Sequence, residues 1–143
     1  MDNIPQEVAR AHELFMSGMN CAQAVFCAFA PKYSIEESQA AKISCALGGG
    51  VGRMREVCGA VTGAGLALGL RHGEDKAVVY PYMQEFCERF KKECGSIVCR
   101  ELRRGTSATA GGSPEARTSE YYAKRPCSEI VKLAASILCE MGV

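Results

Sequence analysis

Apolar residues recur along this chain three and four positions apart, and no stretch alternates strictly as a half-buried strand would. Ile4, Val8, Ala11 and Phe15 mark one face of a helix over Ile4–Met16, ended by Gly18. Asn20 with Gln23 three residues on forms a capping-box pattern, opening a helix over Cys21–Phe29 before Pro31. Ser34 with Glu37 repeats that pattern and predicts a helix to about Leu47, with Ala40, Ile43 and Leu47 inward, stopped by the Gly48–Gly52 cluster. A helix over Glu56–Leu70 carries the stripe Val57, Val61, Ala64 and Leu68, with Arg71 and His72 in its last turn and Gly73 as C-cap. Val79, Met83, Phe86 and Phe90 define a helix over Glu74–Glu93, which Pro81 should kink or restart. Ser96 is placed to cap a short helix from Cys99 to about Arg103, Ser113-Pro114-Glu115 to start another reaching Tyr122, and Pro126–Met141 to close the chain with Ile130, Ala134, Ile137 and Met141 inward. Gly105–Ser113 is polar and glycine-rich, the best candidate for a mobile loop. The pattern predicts an all-α fold: one compact bundle of about six to seven helices, a single domain over residues 1–143.

The helix expected at the centre is unusual. No charged residue interrupts Val57–Leu70, so it should be buried on nearly all sides, yet it is too short to span a bilayer. It also contains Gly59, Gly63, Gly65 and Gly69. Each glycine costs a helix interior about 1 kcal/mol relative to alanine. The bare backbone must therefore serve close approach, of a ligand or of a neighbouring helix, within the chain or across a homodimer.

A net charge of +1 gives no reason to expect a nucleic-acid partner. Met1–Ala11 has neither the basic nor the apolar region of a secretion signal, which points to the cytoplasm. Nine cysteines stand out: the number is odd, and no pair has C-x-x-C spacing. Reactive or metal-binding thiols are thus favoured over a disulfide scaffold.

Position divides the cysteines. Cys21, Cys58, Cys99 and Cys127 all fall at predicted helix starts, where free N–H groups and partial positive charge favour a thiolate. Arg53, Arg55 and Arg100 are close enough in sequence to add to this if they point inward. Cys27, Cys45, Cys87, Cys94 and Cys139 fall in helix bodies or near helix ends, where a cysteine is ordinarily a small buried apolar residue. Thr62 could serve the Cys58 sulfur or bond back to its own helix, and the run Arg100, Arg103, Arg104 suggests a solvated face. Gly48–Gly52 lacks the Lys-Ser/Thr of a phosphate loop and suits a turn passing close to the cysteines.

The blocks NCAQAV (Asn20–Val25), CGAVTG (Cys58–Gly63) and CREL (Cys99–Leu102), with Cys127 before a final apolar helix, resemble the C_GCAxxG_C_C family of small, redox-active bacterial and archaeal proteins. The resemblance runs in order over nearly the whole chain. It implies that the family's four cysteines correspond to Cys21, Cys58, Cys99 and Cys127, in a redox-active or cofactor-binding thiol site. A similar domain accompanies haem-binding sequence in split-Soret cytochromes, which implies electron transfer as one use. This chain has no C-x-x-C-H, so no haem is carried over.

Three functions follow as expectations. In a thiol oxidoreductase, Cys58 is the favoured attacking residue and a second cysteine resolves the intermediate; four cysteines allow three pairings. Alternatively, Cys21, Cys58, Cys99 and Cys127 hold an iron–sulfur cluster or zinc, with Gly59 and Gly63 giving the cofactor room. In an interaction module the cysteines are only core. The sequence does not identify the redox partner.

Overall fold

The computed structural model describes residues 4–103, 110–124 and 126–143. Its elements in chain order are α1 (Gln6–Met16), α2 (Cys21–Phe29), α3 (Glu37–Ser44), the short turn α4 (Gly48–Val51), α5 (Gly59–His72), α6 (Lys76–Cys94), α7 (Cys99–Leu102), α8 (Ser119–Lys124) and α9 (Cys127–Glu140). The fold is all-α, and among the described residues the only extended pairing is a single antiparallel bridge, Val57 to Val98. No described helix is long and apolar enough to cross a membrane.

Helices α2 and α5 share the centre. α1 and α9 pack on each other and on α2, while α6 covers α5 and α9. Phe15, Val25, Phe29, Val61, Leu68, Phe86, Phe90, Val131 and Leu138 fill the space between them with almost no exposure. Phe15, Val61, Leu68, Phe86 and Phe90 lie on the faces that the three-and-four spacing marked as inward; Val25, Phe29, Val131 and Leu138 add to them, and Ile4 of the first stripe is exposed.

The Asn20 capping box forms as expected: its side chain accepts from the Gln23 N–H and the Gln23 side chain from the Asn20 N–H. The Ser34 box does not. Ala30–Tyr33 is a 3-10 turn, and Ser34 ends it in the left-handed region (φ 66°), leaving α3 to begin at Glu37. α3 is also rotated from the expected face. It buries Ala40 and Ser44, whose hydroxyl donates to the Ala40 carbonyl, and leaves Ile43 on the surface. Pro81 lies inside α6, which starts at Lys76 with the Asp75 carboxylate capping the Ala77 N–H. Ser96 does not cap α7 directly. Its oxygen accepts from the Val98 N–H and its hydroxyl donates to Glu101, bracing the approach to the helix. Ser113–Glu115 is not a helix start either, since α8 begins at Ser119. Of the proposed loop, residues 105–109 lie outside the described residues, as does Arg104.

Gly59 and Gly63 explain themselves by what a side chain would meet. A Cβ on Gly59 would lie 3.0 Å from the Ala22 nitrogen, and one on Gly63 2.7 Å from the Ala22 carbonyl oxygen. Gly65 abuts the Met83 side chain within the chain, whereas Gly69 has nothing within 4 Å. This contrast is testable by denaturant unfolding. Gly63→Ala should lose about 1–3 kcal/mol through forced separation of α2 and α5, while Gly69→Ala should gain up to about 1 kcal/mol from helix propensity. Equal effects of the two substitutions would contradict the packing described.

Candidate thiol site

Each cysteine singled out by position stands at an actual helix start. Cys21, Cys99 and Cys127 are the first residues of α2, α7 and α9, and Cys58 is the N-cap of α5. All four line one cavity of about 60 Å³. Nothing in sequence adjacency produces this; three local devices do.

The first device is the approach of α5 to α2, which puts Cys58 and Gly59 against the first turn of α2. The second is the Val57–Val98 bridge. The Cys58 N–H donates to the Ile97 carbonyl (2.7 Å) and the Cys99 N–H to the Glu56 carbonyl (2.6 Å). Residues flanking a bridge share the face opposite to it, so Cys58 and Cys99 are turned to the same side. The bridge also explains why α5 starts at Gly59 rather than Glu56: Val57 is held extended. The third device is the Gly48–Arg55 loop. A Cβ on Gly50 would come within 2.7 Å of the Cys99 Cβ, so the chain can pass behind Cys99 only as glycine. Val51, Arg53 and Arg55 all have positive φ (66°, 67° and 60°), a backbone state costing about 1–3 kcal/mol each. The strain turns Arg55 inward, where it is 5% exposed.

Three arginines line the same cavity: Arg55, Arg103 and Arg117. Arg55 reaches toward the Cys99 sulfur (Nη1 to Sγ 4.0 Å). Arg103, expected on a solvated face, is 2% exposed at the end of α7. Arg117 donates to the carbonyls of Phe15 (3.0 Å) and Met19 (2.7 Å) and lies over the Phe15 ring, 4.5 Å from its centroid. Phe15, Leu102 and Ile130 form apolar walls, and Tyr121 and Asn20 complete the lining.

The thiols within are not equivalent. The side chains of Cys21 and Cys127 pair in the cavity, and the proton of the pair stays on Cys21. This pairing lowers Cys127 to about 7; Arg103, Arg117 and Arg55 pull the same way against the effect of burial. Cys21 is pushed well above the ordinary thiol value by the same pairing and by burial. Burial drives Cys58 up to about 12, although the Ala60 and Val61 amides favour its ionisation. A helix start is therefore insufficient to make a thiolate: Cys58 has the amide dipoles, and Cys127 has a thiol partner and guanidinium groups. Burial also raises Tyr121 to about 12, so it stays a neutral phenol. Thr62 bonds back to the Gly59 carbonyl (3.2 Å) rather than serving a sulfur.

All nine cysteines are free thiols. Among the described residues, no three His, Cys, Asp or Glu side chains are grouped to hold a single metal ion. Of the cysteines expected to be core, Cys27 is buried and Cys87, Cys94 and Cys139 are half-buried, but Cys45 is exposed, because the chain there is a surface 3-10 turn.

A family model described as "Putative redox-active protein (C_GCAxxG_C_C)" matches residues 19–141, a span that holds all four cavity cysteines. The chain belongs to the C_GCAxxG_C_C family. No curated protein and no solved structure matches it. In this C_GCAxxG_C_C protein, Arg103, Arg117 and Tyr121 are the site residues that sequence reasoning missed. The only signal for Arg103 was its place four residues after Cys99, one helical turn on. Arg117 and Tyr121 carried none.

The ionisation pattern predicts a reactivity order. Cys127 should be alkylated by iodoacetamide with a midpoint near pH 7, and Cys58 only in far more alkaline solution, as read by residue-resolved mass spectrometry. Arg103→Gln should raise the Cys127 midpoint. Unfolding should move it toward the ordinary thiol value of about 8.5. Between those two values the unfolded chain holds the extra proton. This thiol therefore adds stability as pH rises through the window, and that contribution is lost as pH falls through about 7. A midpoint at or above the ordinary thiol value in the folded protein would contradict the arrangement.

Proposed function

We propose that this chain is a thiol–disulfide oxidoreductase whose exchanging pair is Cys127 and Cys21. The observation that carries this reading is that both cysteines, each at a helix start, line one cavity with three guanidinium groups. Such a pair is one step from a disulfide, and its surroundings favour the thiolate that begins exchange.

The Cys127 thiolate attacks one sulfur of a partner disulfide. A Cys127–partner S–S bond forms, and the first partner sulfur leaves as thiolate. Cys21 gives its proton to a leaving partner thiolate, and its sulfur attacks that of Cys127. The Cys21–Cys127 disulfide forms and the second partner thiol departs. The partner gains two electrons, which the cysteine pair loses. Arg55, Arg103 and Arg117 hold the negative charge while it rests on Cys127. Cys58, favoured as the attacking residue from sequence, is in this scheme a neutral wall thiol beside Cys99. Gly59 and Gly63 act by permitting helix approach, with Gly59 also in the cavity wall. An odd number of cysteines and an N-terminal stretch without a secretion signal's basic and apolar regions favour a cytoplasmic setting for this chemistry.

A second reading rests on the same cavity. In an iron–sulfur cluster each cysteine can bind a different iron, so the four sulfurs need not converge on one point as zinc would require. Cys21, Cys58, Cys99 and Cys127 would be the ligands, and the arginines would offset the cluster's negative charge.

Oxidising the reduced protein with one equivalent of a small disulfide, followed by peptide mapping, tests the first reading. The expected product is a Cys21–Cys127 disulfide, abolished by Cys127→Ser and retained in Cys58→Ser. A Cys58–Cys99 disulfide instead would overturn the assignment. Anaerobic purification with a visible spectrum and iron and sulfide assays tests the second, and colourless, iron-free protein would sink it.

A further inference from the structure

Outside the thiol cavity lies a vestibule of about 480 Å³, the size of a small-ligand pocket. The two chambers share Asn20, Gly49, Arg55, Arg117 and Tyr121 as common walls. The vestibule adds Arg53, so its charged lining is three arginines and one acid, Glu115.

Glu115 shows what those arginines bind. One of its carboxylate oxygens lies 3.3 Å from Arg53 Nη1 and 3.7 Å from Arg55 Nη2. A single oxygen is thus shared between two guanidiniums, a cradle for carboxylate. The arginines are the fixed half of this pairing. Their side chains are 18% and 6% exposed, on the strained loop, and Arg53 Nε is anchored to the Gly111 carbonyl (2.9 Å). Glu115 is the more accessible half: 39% exposed, on a segment that is not helical. Arg55 joins the chambers, one nitrogen facing Glu115 and the other the Cys99 sulfur.

We infer that the vestibule is a carboxylate subsite, and that the disulfide exchanged here is a small molecule bearing carboxylate groups. The substrate class rests on the thiol-exchange reading above; the subsite stands without it. The incoming carboxylate displaces Glu115 from Arg53 and Arg55, and the disulfide attached to it extends past Arg55 into the cavity. There the Cys127 sulfur bonds to the near sulfur of the disulfide. The far sulfur leaves as a carboxylate-bearing thiolate and takes the Cys21 proton; the Cys21 sulfur then attacks Cys127, closing the intramolecular disulfide as the near sulfur departs as a second carboxylate-bearing thiolate.

Two measurements on the full chain at low salt test this. In the first, Cys127 alkylation by iodoacetate is compared with that by iodoacetamide, each rate divided by that of 2-mercaptoethanol at the same pH. The normalised ratio should favour the anion by about tenfold, the lower end of electrostatic steering. It should fall toward one in Arg53→Ala and rise in Glu115→Gln, with circular dichroism verifying the fold of both. A ratio at or below one in the unaltered protein overturns the subsite. In the second, the reduced protein is oxidised by 3,3′-dithiodipropionate, bis(2-hydroxyethyl) disulfide and cystamine, normalised in the same way. The anionic disulfide should be fastest and the cationic one slowest. Equal normalised rates overturn the substrate class. Preference for iodoacetate without oxidation by any of the three upholds the subsite and overturns the thiol-exchange reading.

Discussion

Two bare stretches of backbone meet where α5 packs on the first turn of α2, and the thiol site depends on that approach. At Gly59 and Gly63 a single added carbon would strike the backbone of Ala22. With the helices this close, Cys58 at the start of α5 and Cys21 at the start of α2 share a cavity. The bridge at Val57 then brings Cys99 to the same side as Cys58, and α9 supplies Cys127 by packing on α1 and α2. The four glycines of α5 lower its helix propensity, and at least two of them are needed where they are for this reason.

The cavity also shows how opposing electrostatic effects are resolved. Burial alone favours the neutral thiol, as it does at Cys58. Cys127 escapes because it is paired with the neighbouring Cys21 thiol and because guanidinium groups surround it. Those groups are brought in by backbone under strain in the case of Arg55, by the end of a short helix for Arg103, and by an irregular segment for Arg117. Their own contacts hold them: Arg117, for instance, is tied to the carbonyls that end α1 and to an aromatic face.

What was legible in the sequence was what local chemistry controls. The Asn20 box, the inward stripes of α5, α6 and α9 and the placement of four cysteines at helix starts all depend on residues three or four apart. What depended on distant segments was not legible. Val57 looked helical because its partner Val98 lies far along the chain. Ser34 looked like a cap because nothing nearby showed that it would close a 3-10 turn. Arg103 looked like surface because only the assembled cavity shows what it faces. Cys58 was favoured from its helix start because a helix dipole is written locally, whereas the burial that raises its thiol is a property of the packed whole.

Cys21 and Cys127, which share the thiol cavity, stand near opposite ends of the chain. A disulfide there would close a loop of roughly 100 residues, which in the chain-entropy account restrains the unfolded state by about 4–5 kcal/mol. Folding and oxidation are then linked by one thermodynamic cycle. Whatever the disulfide adds to the stability of the fold, the fold adds equally to the tendency of the pair to be oxidised. The helical bundle thereby acts as a weight on the redox balance. Loosening α2 or α9, even far from the sulfurs, would make the pair a weaker reductant.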